Sequence, residues 1–259
     1  QLLELDASSG KVLRTWPVGV APFDVVLVKS KAYVSNWGGC RPGVGDLTGP
    51  AGRGTLVRVD PVRHIASEGS VNVIDLQAEH TTHNTELLTG LHASALAVSR
   101  DQRHVVVANA GSDTLSVIDT SSDKIIETVW AQQRPDDLFG AQPNALAFDK
   151  SGKKLYVCNG SQNAVAELAF KPGKSEWLGL IPVGWFPAAL AFDRAGRRLA
   201  SGSLDRTVRI WDVPNALPVL TTNTRMIMMA VCVLSDHVPW YFFGEAVGIN
   251  MAVCVLSDH

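Results

Sequence analysis

Four short apolar segments that return as a block every 44 to 50 residues constrain this chain more than anything else in its sequence. The clearest block runs Ala95-Leu96-Ala97-Val98, His104-Val105-Val106-Val107-Ala108-Asn109, Leu115-Ser116-Val117-Ile118-Asp119 and Lys124-Ile125-Ile126-Glu127-Thr128-Val129. The next repeats it with Ala145-Leu146-Ala147-Phe148, Lys154-Leu155-Tyr156-Val157-Cys158-Asn159, Ala164-Val165-Ala166-Glu167-Leu168 and Trp177-Leu178-Gly179-Leu180-Ile181, 50 positions on. A third follows 44 positions later, from Ala189-Leu190-Ala191-Phe192 through Val208-Arg209-Ile210-Trp211-Asp212 to a weaker fourth segment near Pro218-Val219-Leu220. A period of this size belongs to stacked or circular repeats, whose units each lack a core of their own and bury their faces against neighbours.

Each segment is four to six residues long, rich in Val, Ile and Leu, and bounded by Gly, Asn, Asp, Ser and Lys, with no sustained 3.6-residue period. Those are strand and turn signals. Ser151-Gly152, Ala195-Gly196 and Asn159-Gly160 are read as the turn pairs that supply positive backbone angles. Four antiparallel strands per repeat make a propeller blade, so the expected fold is an all-β propeller of about five to seven four-stranded blades.

One earlier copy is stretched. Phe23 to Val28 and Lys31 to Asn36 match the first two strands, but Val71-Asn72-Val73-Ile74-Asp75 arrives about 29 residues late. The intervening insert, about 37–70, holds Gly38, Gly39, Gly43, Gly45, Gly49, Gly52 and Gly54 and reads as a long surface loop, the part of a propeller that varies with function. Before it, Leu2-Leu3-Glu4-Leu5-Asp6 and Lys11 to Trp16 match the outer half of a blade. Its inner half is expected from the C-terminal end, which would remove the open sheet edges; otherwise the ring stays open. The reading is thus a propeller over 1–220, with a half blade at 1–18, blades at about 19–90, 91–142, 143–184 and 185–220, and a tail at 221–259. The opening residues resemble a strand rather than an initiator or signal segment, so the chain reads as a piece of something longer.

Tyr33-Val34-Ser35-Asn36, Val106-Val107-Ala108-Asn109 and Tyr156-Val157-Cys158-Asn159, each followed by a Val-Ile-Asp-like strand, resemble the YVTN-type bacterial β-propeller repeat over roughly residues 1–192. With the insert, the chain is similar to the N-terminal propeller of bacterial proteins that continue into an alkaline-phosphatase-like phosphoesterase domain, although no metal-binding phosphoesterase core follows here. That resemblance implies about seven blades in a complete ring and a periplasmic or extracellular setting. From about Arg194 the pattern changes, and Gly196 to Asp212 is similar to a WD repeat whose Gly-His opening is replaced by Trp185-Phe186-Pro187. Asp205 and Trp211 match that family's turn Asp and strand Trp. The tail carries Met229 to His237 again, unchanged, as Met251 to His259, which together with the change of repeat type keeps a chimeric propeller among the readings.

Composition narrows the partners. With 23 basic and 25 acidic residues there is no basic footprint for a nucleic acid. No apolar run is long enough for a membrane span. Four cysteines exclude a disulfide scaffold; Cys158 reads as a buried small hydrophobe, and Cys40 lies in the insert.

The candidate site residues are few. Arg41, Arg53, Arg58 and Arg63 of the insert are able to hold an anionic ligand or a neighbouring domain by charge-assisted hydrogen bonds. Trp37 and Trp185 stand at loop positions near blade junctions, where aromatics line pockets or pack between blades. His80, His83 and His92 form the best metal-like set, without a carboxylate or cysteine spacing that completes four ligands. The recurring Asn36, Asn109 and Asn159 read as structural, with left-handed backbone and bonds to their own chain. No catalytic constellation and no cofactor motif emerges. The leading reading is a non-catalytic scaffold or binding propeller that presents loops to a protein, a domain or a small ligand. The alternative is a propeller enzyme, lactonase-like or a metal-dependent redox protein.

Overall fold

The computed structural model describes residues 1–52, 54–78, 84–134, 140–213 and the backbone of 217–223. Four antiparallel four-stranded blades follow one another along the chain. The first comprises β3 (Pro22–Val28), β4 (Lys31–Asn36), β7 (Gly69–Asp75) and β8 (Asn84–Thr89). The second runs β9 (Ala93–Val98), β10 (His104–Asn109), β11 (Thr114–Asp119) and β12 (Lys124–Trp130). The third holds β13 (Pro143–Phe148), β14 (Lys154–Asn159), β15 (Ala164–Ala169) and β16 (Glu176–Pro182), and the fourth β17 (Pro187–Phe192), β18 (Arg198–Ser203), β19 (Thr207–Asp212) and β20 (Leu217–Asn223). A separate antiparallel pair, β1 (Leu2–Leu5) and β2 (Val12–Trp16), lies at the place where the sequence reading puts a half blade. The innermost strands β3, β9, β13 and β17 lie side by side, which is the arrangement of blades around an axis.

The core sits between blades rather than within them. Leu115, Val117 and Ala108 of the second blade pack on Leu155, Val157 and Leu168 of the third, and Tyr156, Cys158 and Val165 of the third pack on Leu199 and Trp211 of the fourth. Middle strands are buried on both faces, so β10 and β14 read as continuous apolar runs, whereas outer β12 alternates exposed and half-buried residues. The half blade is fastened in the same way, through Leu2, Trp16 and Val18 against Ala32, Val34 and Ile74.

Every innermost strand begins the same way. Ala21, His92, Gln142 and Phe186 each adopt positive φ, between 50° and 57°, immediately before it. The turns that carry them open on Gly19, Gly90, Gly140 and Gly184. A Cβ on Gly19 or Gly90 would collide with Asn36 or Asn109, respectively, which is why only glycine fits there. The strand pairing of Pro22 with Asn36, and of Pro143 with Asn159, places these entry turns and the turns after the second strands on one rim of the ring.

Three local expectations are corrected. Asn36, Asn109 and Asn159 are fully buried, lie outside the left-handed region and do not bond their own residue's backbone. Asn36 Nδ2 donates to Ser70 Oγ and Asn72 Oδ1, and Asn109 Nδ2 to Thr114 Oγ1 and Ser116 Oγ, so the amide ties second strand to third. Asn159 Nδ2 instead donates to the Ala131 carbonyl and Gln162 Oε1. Asn159-Gly160 is not the left-handed pair either: Gly160–Gln162 form a single 3-10 turn and Asn163, at φ 53°, ends it. Gly152 and Gly196 do take positive φ as expected. Finally, the insert is not a structureless loop, because β5 (Thr48–Pro50) pairs with β6 (Leu56–Arg58) and Val59 bridges Ala66.

Candidate functional site

The insert leaves the first blade at Asn36 and folds back over the entry turn of that same blade. Val20 N donates to Gly39 O, Gly38 N to Val20 O, and Trp37 N to Ala21 O. Val57 of β6 is buried beside Gly38, where a Cβ would meet its methyl at 2.8 Å. Charge completes the attachment. Arg58 Nε donates to Asp46 Oδ2 at 2.7 Å and its Nη1 reaches Glu68 Oε1 at 3.5 Å, while its Nη2 donates to the Arg41 carbonyl. Glu68 also accepts the Cys40 amide. Arg63 spends its charge locally on Asp60, three residues back.

Arg41 differs from these. Its Nε donates to Val18 O at 2.7 Å, which anchors the side chain, and no carboxylate pairs with it among the described residues. It stands at the edge of an open cleft of about 500 Å³ between the entry turn Gly19 to Pro22 and the insert residues Arg41, Pro42, Thr55 and Leu56. That lining contains one cation and no anion.

Trp37 lies flat on His92, ring centroids 3.8 Å apart and 2° from parallel, so the start of the insert stacks on the entry turn of the second blade. Gly111 also approaches His92 so closely that a Cβ would sit 2.6 Å from Nδ1. Burial holds the His92 imidazole below its ordinary pKa. Of the metal-like set only His92 is described; His80 and His83 lie outside the described residues, as does Arg53. Among the described residues no group of three or more His, Cys, Asp or Glu is placed to hold a metal ion.

Trp185, in the entry turn of the fourth blade, is 61% exposed, and Leu204 beside it 57%. Both backbones are pinned: Trp185 N donates to Asp205 Oδ2 and Leu204 N to Phe186 O. Asp205 therefore bonds the Trp185 amide, with Thr207 on its other oxygen, where a WD repeat would offer it a His. Trp211 Nε1 still donates to Ser201 Oγ.

The same rim carries a device that the sequence pattern did not reveal. Asp113 and Asn163, both left-handed at the end of a second-to-third strand turn, reach into the next blade. Asp113 Oδ1 and Oδ2 accept the amides of Gln142 and Gly140, and Asn163 Oδ1 accepts that of Phe186. At the matching place the insert ends in Gly69, whose Cβ would lie 2.4 Å from Gly90 O, so there the backbone itself abuts the following turn. The signal is present as Asp113 and Asn163 before the third strands of the second and third blades, but a turn cap and an inter-blade cap look alike in sequence.

The two described cysteines, Cys40 and Cys158, are unreactive by environment. Burial, then the neighbouring Glu86 and Glu68, pushes the Cys40 thiol up to about 12, and burial raises Cys158, which is fully enclosed and donates weakly to Ala189 O. With so little thiolate, iodoacetamide at about pH 8 should leave both unmodified in the folded chain and alkylate both in guanidinium, as peptide mapping would show. Rapid native alkylation of Cys40 would contradict this environment.

The comparisons agree with the geometry. Residues 62–179 match the family model of the lactonase seven-bladed β-propeller, and residues 187–212 match that of the WD domain G-beta repeat. The chain is a propeller repeat protein. Among solved structures it is similar to hydrazine synthase of Kuenenia stuttgartiensis, with TM-score 0.58 and 19% identity over 82% of this chain and 51% of that one. It is also similar to a protein provisionally assigned as a 6-phosphogluconolactonase from Bacteroides uniformis, with TM-score 0.61, 16% identity and coverage of 86% and 64%. Dihydro-heme d1 dehydrogenase NirN, solved in complex with DHE, gives 0.58 and 16% identity over 85% and 41%. The chain spans less than two thirds of the length of each of these, and at such identities they establish the fold alone. No curated protein matches the sequence significantly. No helix among the described residues is long and apolar enough to cross a membrane.

Proposed function

We propose that this propeller is a binding and scaffold module whose docking face is the rim that carries the insert. The observation behind this reading is where the large apolar side chains stand in water. Val44, Val62 and Ile65 are 111%, 83% and 46% exposed on an insert whose backbone is held by Arg58, Asp46 and Glu68, and Trp185 and Leu204 stand exposed on the same rim. Preorganised apolar anchors among polar neighbours are what a protein interface is built from, since little side-chain and loop entropy is lost on docking. Arg41, Arg53, Arg58, Arg63, Trp37 and Trp185 are the residues assigned to this face. The YVTN-like motifs and the likeness to propellers that precede a phosphoesterase domain support a partner that is a protein or a domain of one. They also support a periplasmic or extracellular setting.

Changing Val44, Val62 and Ile65 together to Ser should leave the denaturation midpoint nearly unchanged, as exposed substitutions cost within about 0.5 kcal/mol each. The same change should lower the recovery of the partner crosslinked in native extract by about tenfold or more. Undiminished recovery of the same partner by this variant would remove the insert from the interface.

The match to the lactonase propeller favours a second reading, a lactonase-like hydrolase, with His80, His83 and His92 as the set for a metal-dependent version. Sustained hydrolysis of a sugar lactone that a single polar substitution on the rim abolishes would replace the docking reading by this one.

A further inference from the structure

We infer that the cleft between the entry turn of the first blade and the insert is a binding site for an amphiphilic monocarboxylate, with Arg41 as the residue that receives the carboxylate. This goes beyond the docking face and does not depend on it. Three observations carry it. First, among the described residues of the insert the carboxylates are paired without Arg41: Asp46 and Glu68 are taken by Arg58, and Asp60 by Arg63. Arg41 keeps a net charge that no described carboxylate neutralises. Second, its guanidinium is already oriented, because Nε is bonded to Val18 O, and both terminal nitrogens remain for an incoming ligand. Two parallel N–H donors match the two oxygens of a carboxylate. Third, the rest of the wall is Gly19, Val20, Ala21, Pro22, Pro42 and Leu56, with Thr55 as the one hydroxyl, and the space is about 500 Å³, within the range of small-molecule sites.

The class of ligand follows from matching these features. One cation with no second basic side chain in the lining balances a single negative charge, whereas a phosphate monoester carries about −1.5 to −2 at neutral pH and would keep its excess charge. The Val, Pro and Leu wall asks for an apolar body beside the carboxylate. Two sources present that chemistry, a free short-chain acid and the apolar C-terminal residue of a polypeptide.

Isothermal titration of the whole chain with hexanoate and with acetyl-Ala-Leu, each against its own amide, tests the site and separates the sources. Saturable binding of one acid with Kd below about 1 mM is expected, at least about tenfold tighter than the amide. Arg41→Gln should weaken it by about tenfold or more, and Leu56→Asp, which sets an anion on the cleft wall, should do the same, while Lys174→Gln, an exposed change in the third blade, leaves it unchanged. Leu56 is half exposed, so its variant folds and decides the question even where Arg41→Gln loosens the insert. No saturable heat from either acid at about 10 mM, equal binding of the amide, or full binding by Leu56→Asp overturns the site.

Discussion

Asp113→Ala is expected to destabilise the propeller by about 3–5 kcal/mol, although Asp113 pairs with no cation among the described residues. The size follows from what one carboxylate does. Asp113 is 4% exposed and accepts two amides of the following blade's entry turn, Gln142 at 2.7 Å and Gly140 at 3.0 Å, while its own carbonyl accepts Ala131 N. Without the side chain, two backbone donors at a blade junction lose their acceptor, each costing about 1–3 kcal/mol. Alanine must also hold φ 54°, a conformation that costs about 1 kcal/mol more for it than for Asp. Asp113→Asn keeps the turn and one acceptor oxygen, so it should lose roughly half as much. Asn163→Ala, which releases only the Phe186 amide, should fall in the same lower range. Denaturant midpoints of the three variants would show the order, and an Asp113→Ala loss below about 1 kcal/mol would mean that water replaces the latch.

Trp16→Ala is expected to cost about as much, 3–5 kcal/mol by the usual penalty for emptying a buried aromatic site, and for a different reason. Trp16 is 1% exposed and is the largest side chain in the cluster that joins β1 and β2 to the first full blade, where it meets Leu2, Val18, Ala32, Val34 and Ile74. Two strands alone are marginal as an independent sheet. The half blade therefore depends on this contact, supplemented by Arg14, which lies over the indole at 4.8 Å and donates to the Leu76 carbonyl. The expected signature is loss of hydrogen-exchange protection in 2–16 before any loss in the third blade. Uniform loss across all blades would show that the half blade is an integral part of one cooperative unit.

Much of this architecture was legible in advance because a blade is a local object. Its four strands are consecutive, its turns are short, and the apolar alternation of an outer strand such as β12 differs visibly from the continuous run of a middle strand such as β10. Gly152 and Gly196 announce their hairpins for the same reason. The Asn ending three second strands reads as structural, yet for Asn36 the acceptors Ser70 and Asn72 lie 34 and 36 residues away across the insert, out of reach of a local pattern. The insert itself was the least legible part. Its many glycines and four arginines read as a solvated loop, and nothing local tells that Val57 is buried or that Arg58 is used up on Asp46 and Glu68 while Arg41 is not.

What the sequence determined by itself is the repeat: strand number per blade, the positions of the turns, and the change to a WD-like unit at the fourth. Interactions within about 50 residues specify these, and they leave a periodic trace because every blade solves the same packing problem. What only the tertiary structure decided is how blades are latched and what is left unpaired. Whether Asp113 caps its own turn or its neighbour's, whether His92 meets solvent or Trp37, and which of the insert's cations keeps its charge all depend on groups brought together by the ring. Those contacts join residues at unrelated separations, so no period records them, and the cleft beside Arg41 exists only once the insert has folded back onto the blade that carries it.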